Sequence, residues 1–335
     1  MVESPRLSLA ASLLALWGTG TLAGAAGTVS SGAGAAPVVA AAAAADAAPA
    51  AAAGPADPLA LRIRHGFTDS PYGQVHYLSA QPEPALPRRA WKTPLVMFHQ
   101  SPLSAREFAP LIAEMGRDRV VIALDTPGQG LSDGPDRIVT IADYALVLDA
   151  ALGQLGFGKK RPVDVFANHT GVWIAGEIAI CNPSMIRRIV LNGVYVVPED
   201  VWRANVARVP LQDSSAAFFQ TMATDLPRAR QYYLDRGMSD ADWGRMVVGS
   251  LTPLQRREYG HVAAFRYAAD APARLPLISQ PVTLLLIDDG IADRTRGALP
   301  LFRNVTKVIE HLDWKEGLFY TRPAEVAAVL RESLD

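Results

Sequence analysis

The chain has 335 residues and 50% hydrophobic content, which is enough for a substantial buried core. Its 32 basic and 33 acidic residues nearly cancel, and no basic stretch alternates with aromatic residues, so the composition argues against nucleic-acid binding. The single cysteine, Cys181, excludes an internal disulfide, and its apolar neighbours predict a small buried side chain.

The first 57 residues differ from the rest. Arg6 precedes an apolar run at 7–17, small residues follow, and an Ala/Pro/Gly-rich stretch continues to Asp57. This order is typical of a secretory signal peptide followed by a flexible linker, and the run is too short to span a bilayer. We predict a signal peptide at 1–27, a linker at 28–57, and a periplasmic or secreted protein without stable membrane insertion. The alternative is a cytoplasmic protein with a disordered N-terminus.

From residue 61, apolar segments alternate with amphipathic ones. Segments 61–67 and 74–80 predict an antiparallel hairpin, and buried strands are predicted at 94–99 and 119–125. Between these two strands a helix is predicted at 104–115, with Ser104 as its N-cap and Glu107 as the capping-box partner. A helix at 140–155, a strand at 163–166 and a strand at 186–192 follow.

Residues 196–277 break this rhythm because they are rich in Trp, Tyr, Arg and Pro, and they predict a helical lid inserted after the sixth strand. Strands are then predicted at 282–289 and 305–311, and a last helix at 323–334. The pattern predicts an α/β fold with a mostly parallel, doubly wound sheet. Its core comprises 58–195 and 278–335.

Three motifs follow successive predicted strands. They are F-H-Q-S-P at 98–102, D-T-P-G-Q-G-L-S-D at 125–133 and A-N-H-T-G at 167–171. Open α/β sheets place their sites at the carboxyl ends of the strands. We therefore expect the three motifs to meet in one site.

The third motif resembles the G-x-S-x-G nucleophile elbow of the α/β-hydrolase fold, with His169 at the position of the nucleophile. The first is similar to the H-G-x-P turn of epoxide hydrolases and haloalkane dehalogenases, and the second to the D-x-P-G-x-G-x-S loop of that superfamily. This resemblance covers the chain from about residue 61 to the C-terminus. It implies an oxyanion hole formed by the backbone N–H of Thr170 and that of Gln100 or Ser101.

The resemblance also implies an acid and a base that follow the elbow along the chain. The family's spacing between the base and the final helix leads from Pro323 to Glu316, which is not a histidine. His311 lies earlier and is the expected base if its loop is remodelled. Asp288, Asp289 and Asp293 are candidates for the acid, and Asp293 best matches the family position.

Other polar residues near these motifs are expected to shape the site. His99 is expected to fix its turn by hydrogen bonding, and Asp125 to brace the P-G-Q-G loop through backbone N–H groups. Trp202 and Trp243 in the lid are expected to pack rather than to contact substrate.

The predicted function is that of an α/β-hydrolase-fold enzyme acting on a small, mostly uncharged molecule such as an ester or lactone. His169 would serve as general base or covalent nucleophile, without a cofactor. The hydroxyls of Ser101 and Thr170 are less well placed as nucleophiles. The alternatives are a lyase, a metal-assisted enzyme using His99, His169 and His311, and a ligand-binding protein without catalysis. The missing serine, together with the missing histidine before the last helix, favours the last of these.

Overall fold

An eight-stranded sheet forms the centre of the computed structural model. The structure describes residues 62–209, 216–251 and 258–335, apart from the side chains of 216–221. The strands are β1 (Arg64–Ser70), β2 (Gly73–Ala80), β3 (Leu95–Phe98), β4 (Val121–Leu124), β5 (Val163–Asn168), β6 (Ile186–Asn192), β7 (Val282–Asp288) and β8 (Val305–Lys315). Their order is β1-β2-β4-β3-β5-β6-β7-β8, and only the pairings of β2 with β1 and β4 are antiparallel. The predicted signal peptide and linker lie outside the described residues.

The central strands are apolar on both faces because helices cover both sides of the sheet. All residues of β3, β4 and β5 are buried, as expected for parallel strands with no face in water. The helices are α1 (Ala109–Met115), α2 (Ile141–Gln154), α3 (Thr170–Cys181), α4 (Glu199–Arg208), α5 (Ala216–Leu234), α6 (Asp240–Leu251), α7 (Tyr259–Tyr267), α8 (Ala271–Arg274), α9 (Ala292–Gly297), α10 (Leu318–Thr321) and α11 (Pro323–Leu334). Helices α2, α3 and α7 pack on one face, and α1, α10 and α11 on the other.

Two local predictions need correction. The segment predicted as one helix from Ser104 begins as a 3-10 turn, Ala105–Phe108, and becomes α-helical only at Ala109. Ser104 caps this turn by accepting the N–H of Arg106, but the carboxylate of Glu107 accepts the N–H of Gln100 instead of closing a capping box. Cys181, predicted to be buried, is exposed because it is the last residue of α3.

The residues between β6 and β7 are mainly helical where the structure describes them. Helices α4 to α8 occupy this segment, which matches the helical content predicted for 196–277. Helix α7 packs against α2 and α3 on one face of the sheet, and against α4 within the segment. No helix of the described chain is long and apolar enough to cross a membrane.

Candidate active site

A sharp turn between β5 and α3 carries His169. Its backbone has φ 45° and ψ −108°, and His169 is the one non-glycine residue with positive φ among those described. Such a conformation is costly for a side chain as large as imidazole, so the surrounding structure must hold it in place. Gly171 permits the turn, because a Cβ there would lie 2.2 Å from the carbonyl oxygen of Phe98.

His169 forms an ion-pair contact with Asp289, which follows β7. Nε2 of His169 lies 3.1 Å from Oδ2 of Asp289, whose other oxygen accepts the N–H of Ile291 at 2.9 Å. Because an ionised carboxylate only accepts hydrogen bonds, Nε2 carries the proton and Nδ1 of the neutral ring keeps a lone pair. No described residue hydrogen bonds to Nδ1, and the His169 side chain is 23% exposed whereas that of Asp289 is 1% exposed.

The charges around His169 favour its protonated form. Burial opposes protonation, but the hydrogen bond and charge of Asp289, together with the charge of Glu316, outweigh burial and raise the pKa of His169 above 6.5. A base with a raised pKa binds its proton more strongly than free imidazole does.

Glu316 is the second carboxyl group of the site. It follows β8 and is 6% exposed, and its Oε1 accepts the side-chain N–H of Gln100 at 3.2 Å. Its Oε2 accepts the hydroxyl of Tyr232 from α5 at 3.0 Å. Burial raises the pKa of Glu316, although nearby His169 and both hydrogen bonds act in the opposite direction.

A third carboxyl, that of Glu107, lies beneath the site. Its Oε1 accepts the backbone N–H of Gln100 at 3.0 Å and the side-chain amide of Asn168 at 3.4 Å. The amide of Asn192 in turn donates to Oδ1 of Asn168 at 2.8 Å. Because Glu107 is 2% exposed, burial raises its pKa well above 4.5. This network fixes the strand ends on which the elbow rests.

The predicted oxyanion-hole residues surround the elbow. Thr170 is the first residue of α3, where a helix leaves its N–H groups without intrahelical partners. The N–H of Ser101 reaches Oγ1 of Thr170 at 3.3 Å, a weak bond, whereas the N–H of Gln100 is bonded to Glu107. Of the two alternatives, Ser101 therefore has the more accessible N–H.

His99 and Asp125 lie below the cavity. Nε2 of His99 accepts the N–H of Thr126 at 2.9 Å, and Nδ1 donates to the carbonyl of Gln100 at 2.9 Å. Burial lowers the pKa of His99, partly offset by Asp125. Asp125 accepts the N–H groups of Ala105 and Leu131 and pairs with His76 at 2.7 Å.

The structure does not bring Asp293 or His311 to His169. The Asp293 side chain is 96% exposed on α9 and pairs with Arg296 at 2.7 Å, so Asp289 takes the place expected for the acid. Strand β8 continues to Lys315, which keeps His311 within the edge strand, stacked on Trp314 at 3.9 Å between ring centroids. Glu316, to which the spacing from Pro323 pointed, occupies the place expected for the base.

The elbow opens into a cavity of ≈ 130 Å³. Its wall is mainly apolar and includes residues of the helical segment such as Trp243, Met246 and Phe265. Ser101, Thr170, His169, Asp289 and Glu316 supply polar groups at one end. Glu258 and His261 of the helical segment supply others, with Nδ1 of His261 2.6 Å from the Glu258 carboxylate.

A histidine-based metal site is not supported by the described part of the chain. No group of three or more His, Cys, Asp or Glu side chains is placed there to hold a metal ion. Both ring nitrogens of His99 are used in hydrogen bonds, and His311 lies on the edge strand.

These features define an α/β-hydrolase fold with a histidine at the elbow. The family model described as the alpha/beta hydrolase family matches residues 95–329, well over half of the sequence. The chain belongs to this family.

One sequence relative is the (E)-2-((N-methylformamido)methylene)succinate hydrolase of Acinetobacter baylyi. It is 29% identical over 103 residues, which are 30% of this chain and 38% of the relative. The match thus spans well under half of that protein.

Several solved structures have a similar fold. Cfl2 from Burkholderia cenocepacia has a TM-score of 0.63 and 19% identity, over 83% of this chain and 98% of that one. A thermophilic esterase from Thermogutta terrifontis has a TM-score of 0.62 and 15% identity, over 80% of this chain and 97% of that one. An epoxide hydrolase from Vigna radiata has a TM-score of 0.61 and 16% identity, over 81% of this chain and 98% of that one. At these identities the similarity establishes the fold alone.

Several residues of the site were not singled out from the sequence. Tyr232, Asn192 and Gly193 have no motif of their own, and only the folded chain brings them to the elbow. The one available signal was the spacing that led from Pro323 to Glu316.

Proposed function

We propose that this protein is a hydrolase in which His169, oriented by Asp289, activates water against an ester or lactone. The contact between Nε2 of His169 and the Asp289 carboxylate carries the proposal. It fixes the ring orientation and the tautomer, so that Nδ1 is the basic atom. The sequence relative from Acinetobacter baylyi is named a hydrolase, which supports the same class of reaction.

The chemistry requires a proton acceptor next to a position where water can attack. Nδ1 of His169 has no hydrogen-bond partner among the described residues, and the ring lines the cavity. It would remove a proton from water as the water oxygen adds to the substrate carbonyl. Asp289 would stabilise the imidazolium that forms.

The negative charge that develops on the carbonyl oxygen needs hydrogen-bond donors. The N–H of Thr170, at the start of α3, and that of Ser101 lie beside the elbow. The weak bond from Ser101 to the Thr170 hydroxyl would be exchanged for one to the substrate oxygen. Donors positioned in this way stabilise tetrahedral intermediates strongly.

The cavity supports a small, mostly uncharged substrate. Its volume of ≈ 130 Å³ and mainly apolar wall suit a compact acyl or alkyl group. The helical segment between β6 and β7 supplies much of that wall, so we propose that it acts as the lid of the site.

The test is hydrolysis of 4-nitrophenyl esters of increasing acyl length by purified protein. His169→Asn retains a residue type that tolerates positive φ but removes the base, and we expect kcat/KM to fall by about 10²- to 10⁴-fold. Asp289→Asn would offer an N–H to Nε2 and so select the tautomer without a lone pair on Nδ1. We expect a comparable loss.

The pH dependence gives an independent reading. Because the pKa of His169 is raised above 6.5 by Asp289 and Glu316 against the effect of burial, kcat/KM should increase with pH through an apparent pKa above 6.5. His311→Asn is the control, since this histidine lies outside the cavity. Full activity in His169→Asn, or binding of esters without turnover by the native protein, would overturn the proposal.

Mass spectrometry separates the two roles of His169. Direct attack by Nδ1 would leave an acyl-imidazole, and the protein mass would increase by the acyl group during turnover of a slow ester. General-base catalysis leaves the mass unchanged. Our proposal expects no adduct.

A further inference from the structure

The cavity contains a carboxyl group that water activation does not use. Glu316 lines the same cavity as His169, and only 6% of its surface is exposed. No arginine or lysine side chain forms an ion pair with it among the described residues. A buried carboxyl without a cationic partner is costly to keep ionised, which indicates a role for its proton.

Two neutral groups hold the carboxyl in place. The amide of Gln100 donates to Oε1 and the hydroxyl of Tyr232 donates to Oε2, at 3.2 and 3.0 Å. Neither bond requires a negative charge on Glu316, since each oxygen of a protonated carboxyl still has a lone pair. A proton on the carboxyl is therefore not needed for these two bonds and is left to be donated into the cavity.

The ionisable groups that face Glu316 come from four parts of the fold. Those groups are His169 at the elbow, Asp289 after β7, Glu107 in the 3-10 turn, and Tyr232 and Tyr233 on α5. Asp289 and Glu107 disfavour a further negative charge, whereas His169 favours one when it becomes protonated. Glu316 is therefore set to release its proton as His169 gains one.

We propose that Glu316 is the general acid of this site and protonates the leaving group. The inference rests on the proposed function of His169. Water loses a proton to Nδ1 of His169 and its oxygen bonds to the carbonyl carbon. The bond between that carbon and the leaving oxygen then breaks, its electron pair stays on the leaving oxygen, and the Glu316 proton joins that oxygen.

The cycle closes without a further reactant. After the step, His169 is an imidazolium and Glu316 a carboxylate, so the imidazolium returns its extra proton to Glu316 through water. The net reaction consumes one ester and one water and forms one acid and one alcohol. The step uses molecules in which Glu316 is protonated and His169 is neutral, and burial, which raises the pKa of Glu316, increases their share.

The test compares leaving groups. A 4-nitrophenolate leaves without protonation, whereas an alkoxide does not. Glu316→Gln keeps the shape of the side chain and an acceptor for Gln100, but it has no acidic proton. We expect this variant to lower the rate of ethyl acetate hydrolysis about 10²-fold more than that of 4-nitrophenyl acetate.

Two other variants separate this inference from its alternatives. Tyr232→Phe removes the hydroxyl that joins α5 to Glu316 but leaves the acid. If Glu316 only held α5 in place, each of the two variants would reduce the hydrolysis of 4-nitrophenyl acetate and that of ethyl acetate by the same factor. Such equal losses in Glu316→Gln, or no loss with either ester, would overturn the role of Glu316. The role of His169 fails separately, if His169→Asn retains hydrolysis of 4-nitrophenyl acetate.

Discussion

Gly193 shows how closely the backbone approaches His169. Its φ is +80°, and a Cβ built on it would lie 2.4 Å from Cδ2 of His169. Nε2 of the same ring is bonded to Asp289, so the imidazole cannot retreat without weakening that contact. The position of the elbow side chain therefore depends on the absence of a side chain at residue 193.

A Gly193→Ala variant should lose activity beyond its loss of stability. The new methyl group would displace the ring of His169, so we expect kcat/KM for 4-nitrophenyl esters to fall by at least about tenfold. A displacement of about 1 Å can reduce a rate by about 10²-fold. Ester hydrolysis and urea unfolding would be measured on the same preparation.

Gly156→Ala is the matched control. Gly156 lies just after α2 and does not line the cavity, and its backbone angle, φ +82°, is nearly the same. The nearest atom to a Cβ added there is 4.0 Å away. It should lose about 1 kcal/mol of stability and no activity. Equal activity in the two variants would contradict the role given to Gly193.

Glu107 should make the protein less stable as the pH rises. Burial raises its pKa well above 4.5 in the folded state, while in the unfolded chain the group ionises near 4.5. Between these two values the unfolded state loses its proton first, so the free energy of unfolding decreases with increasing pH. The contribution is fully present below pH 4.5 and is lost as the pH rises through the folded pKa.

Glu107→Gln tests this linkage. The amide oxygen can still accept the N–H of Gln100, but the group no longer titrates. We expect a smaller decrease of the free energy of unfolding between pH 5 and pH 8 than in the native protein, measured by urea unfolding. Glu325→Gln, at an exposed position of α11, is the control and should show the same decrease as the native protein. An equal decrease in Glu107→Gln would contradict the role given to Glu107.

Among the elements, regular helices and strands were predicted well and their irregular ends were not. The final helix has the predicted bounds because Pro323 begins it, and Ile186–Asn192 matches its predicted strand. The capping-box pattern after Ser104 was misleading because Glu107 is used by the site instead. Tertiary contacts decided the fate of that side chain, and local sequence does not contain them.

Helix α3, which follows the elbow, is joined to the end of the helical segment by an ion pair between a buried carboxylate and a guanidinium that is 33% exposed. Both oxygens of Glu177 accept the guanidinium of Arg274 at 2.7 Å, and Tyr267 also donates to this carboxylate. Glu177 is 2% exposed, so loss of the arginine would leave a buried charge without its cation. Such losses are strongly destabilising.

Arg274→Ala should reduce the free energy of unfolding by about 3 kcal/mol in urea titrations. Arg296→Ala is the control, because its partners Asp293 and Glu310 are exposed and such surface pairs contribute little to stability. Similar midpoints for the two variants would show that the Glu177 pair does not anchor the segment.

At the scale of the whole molecule, the sequence was sufficient for the fold. Alternating apolar and amphipathic segments predicted the mostly parallel sheet, and the three motifs predicted the edge at which the site lies. The elbow, with His169 as its central residue, was identified from five sequence positions. These features depend on short-range patterns, which a sequence displays directly.

The partners of His169 could not be chosen in the same way. Three aspartates lie at the end of β7 or just after it, and only the path of the chain after the strand separates buried Asp289 from exposed Asp293. The length of β8 likewise decided between His311 and Glu316. Each choice depends on where a loop begins, to within one or two residues.

The exchange of groups between the elbow and the end of β8 limits how this site can change. In the usual arrangement of the family, a nucleophile stands at the elbow and an imidazole follows the last strand. Here the imidazole stands at the elbow and the carboxyl of Glu316 follows the last strand. Replacing His169 by serine would supply a hydroxyl without a histidine at the end of β8, and replacing Glu316 by histidine would place two imidazoles together. An evolutionary or engineered path to serine chemistry must therefore change both positions, because neither single replacement places a serine at residue 169 and a histidine at residue 316 together.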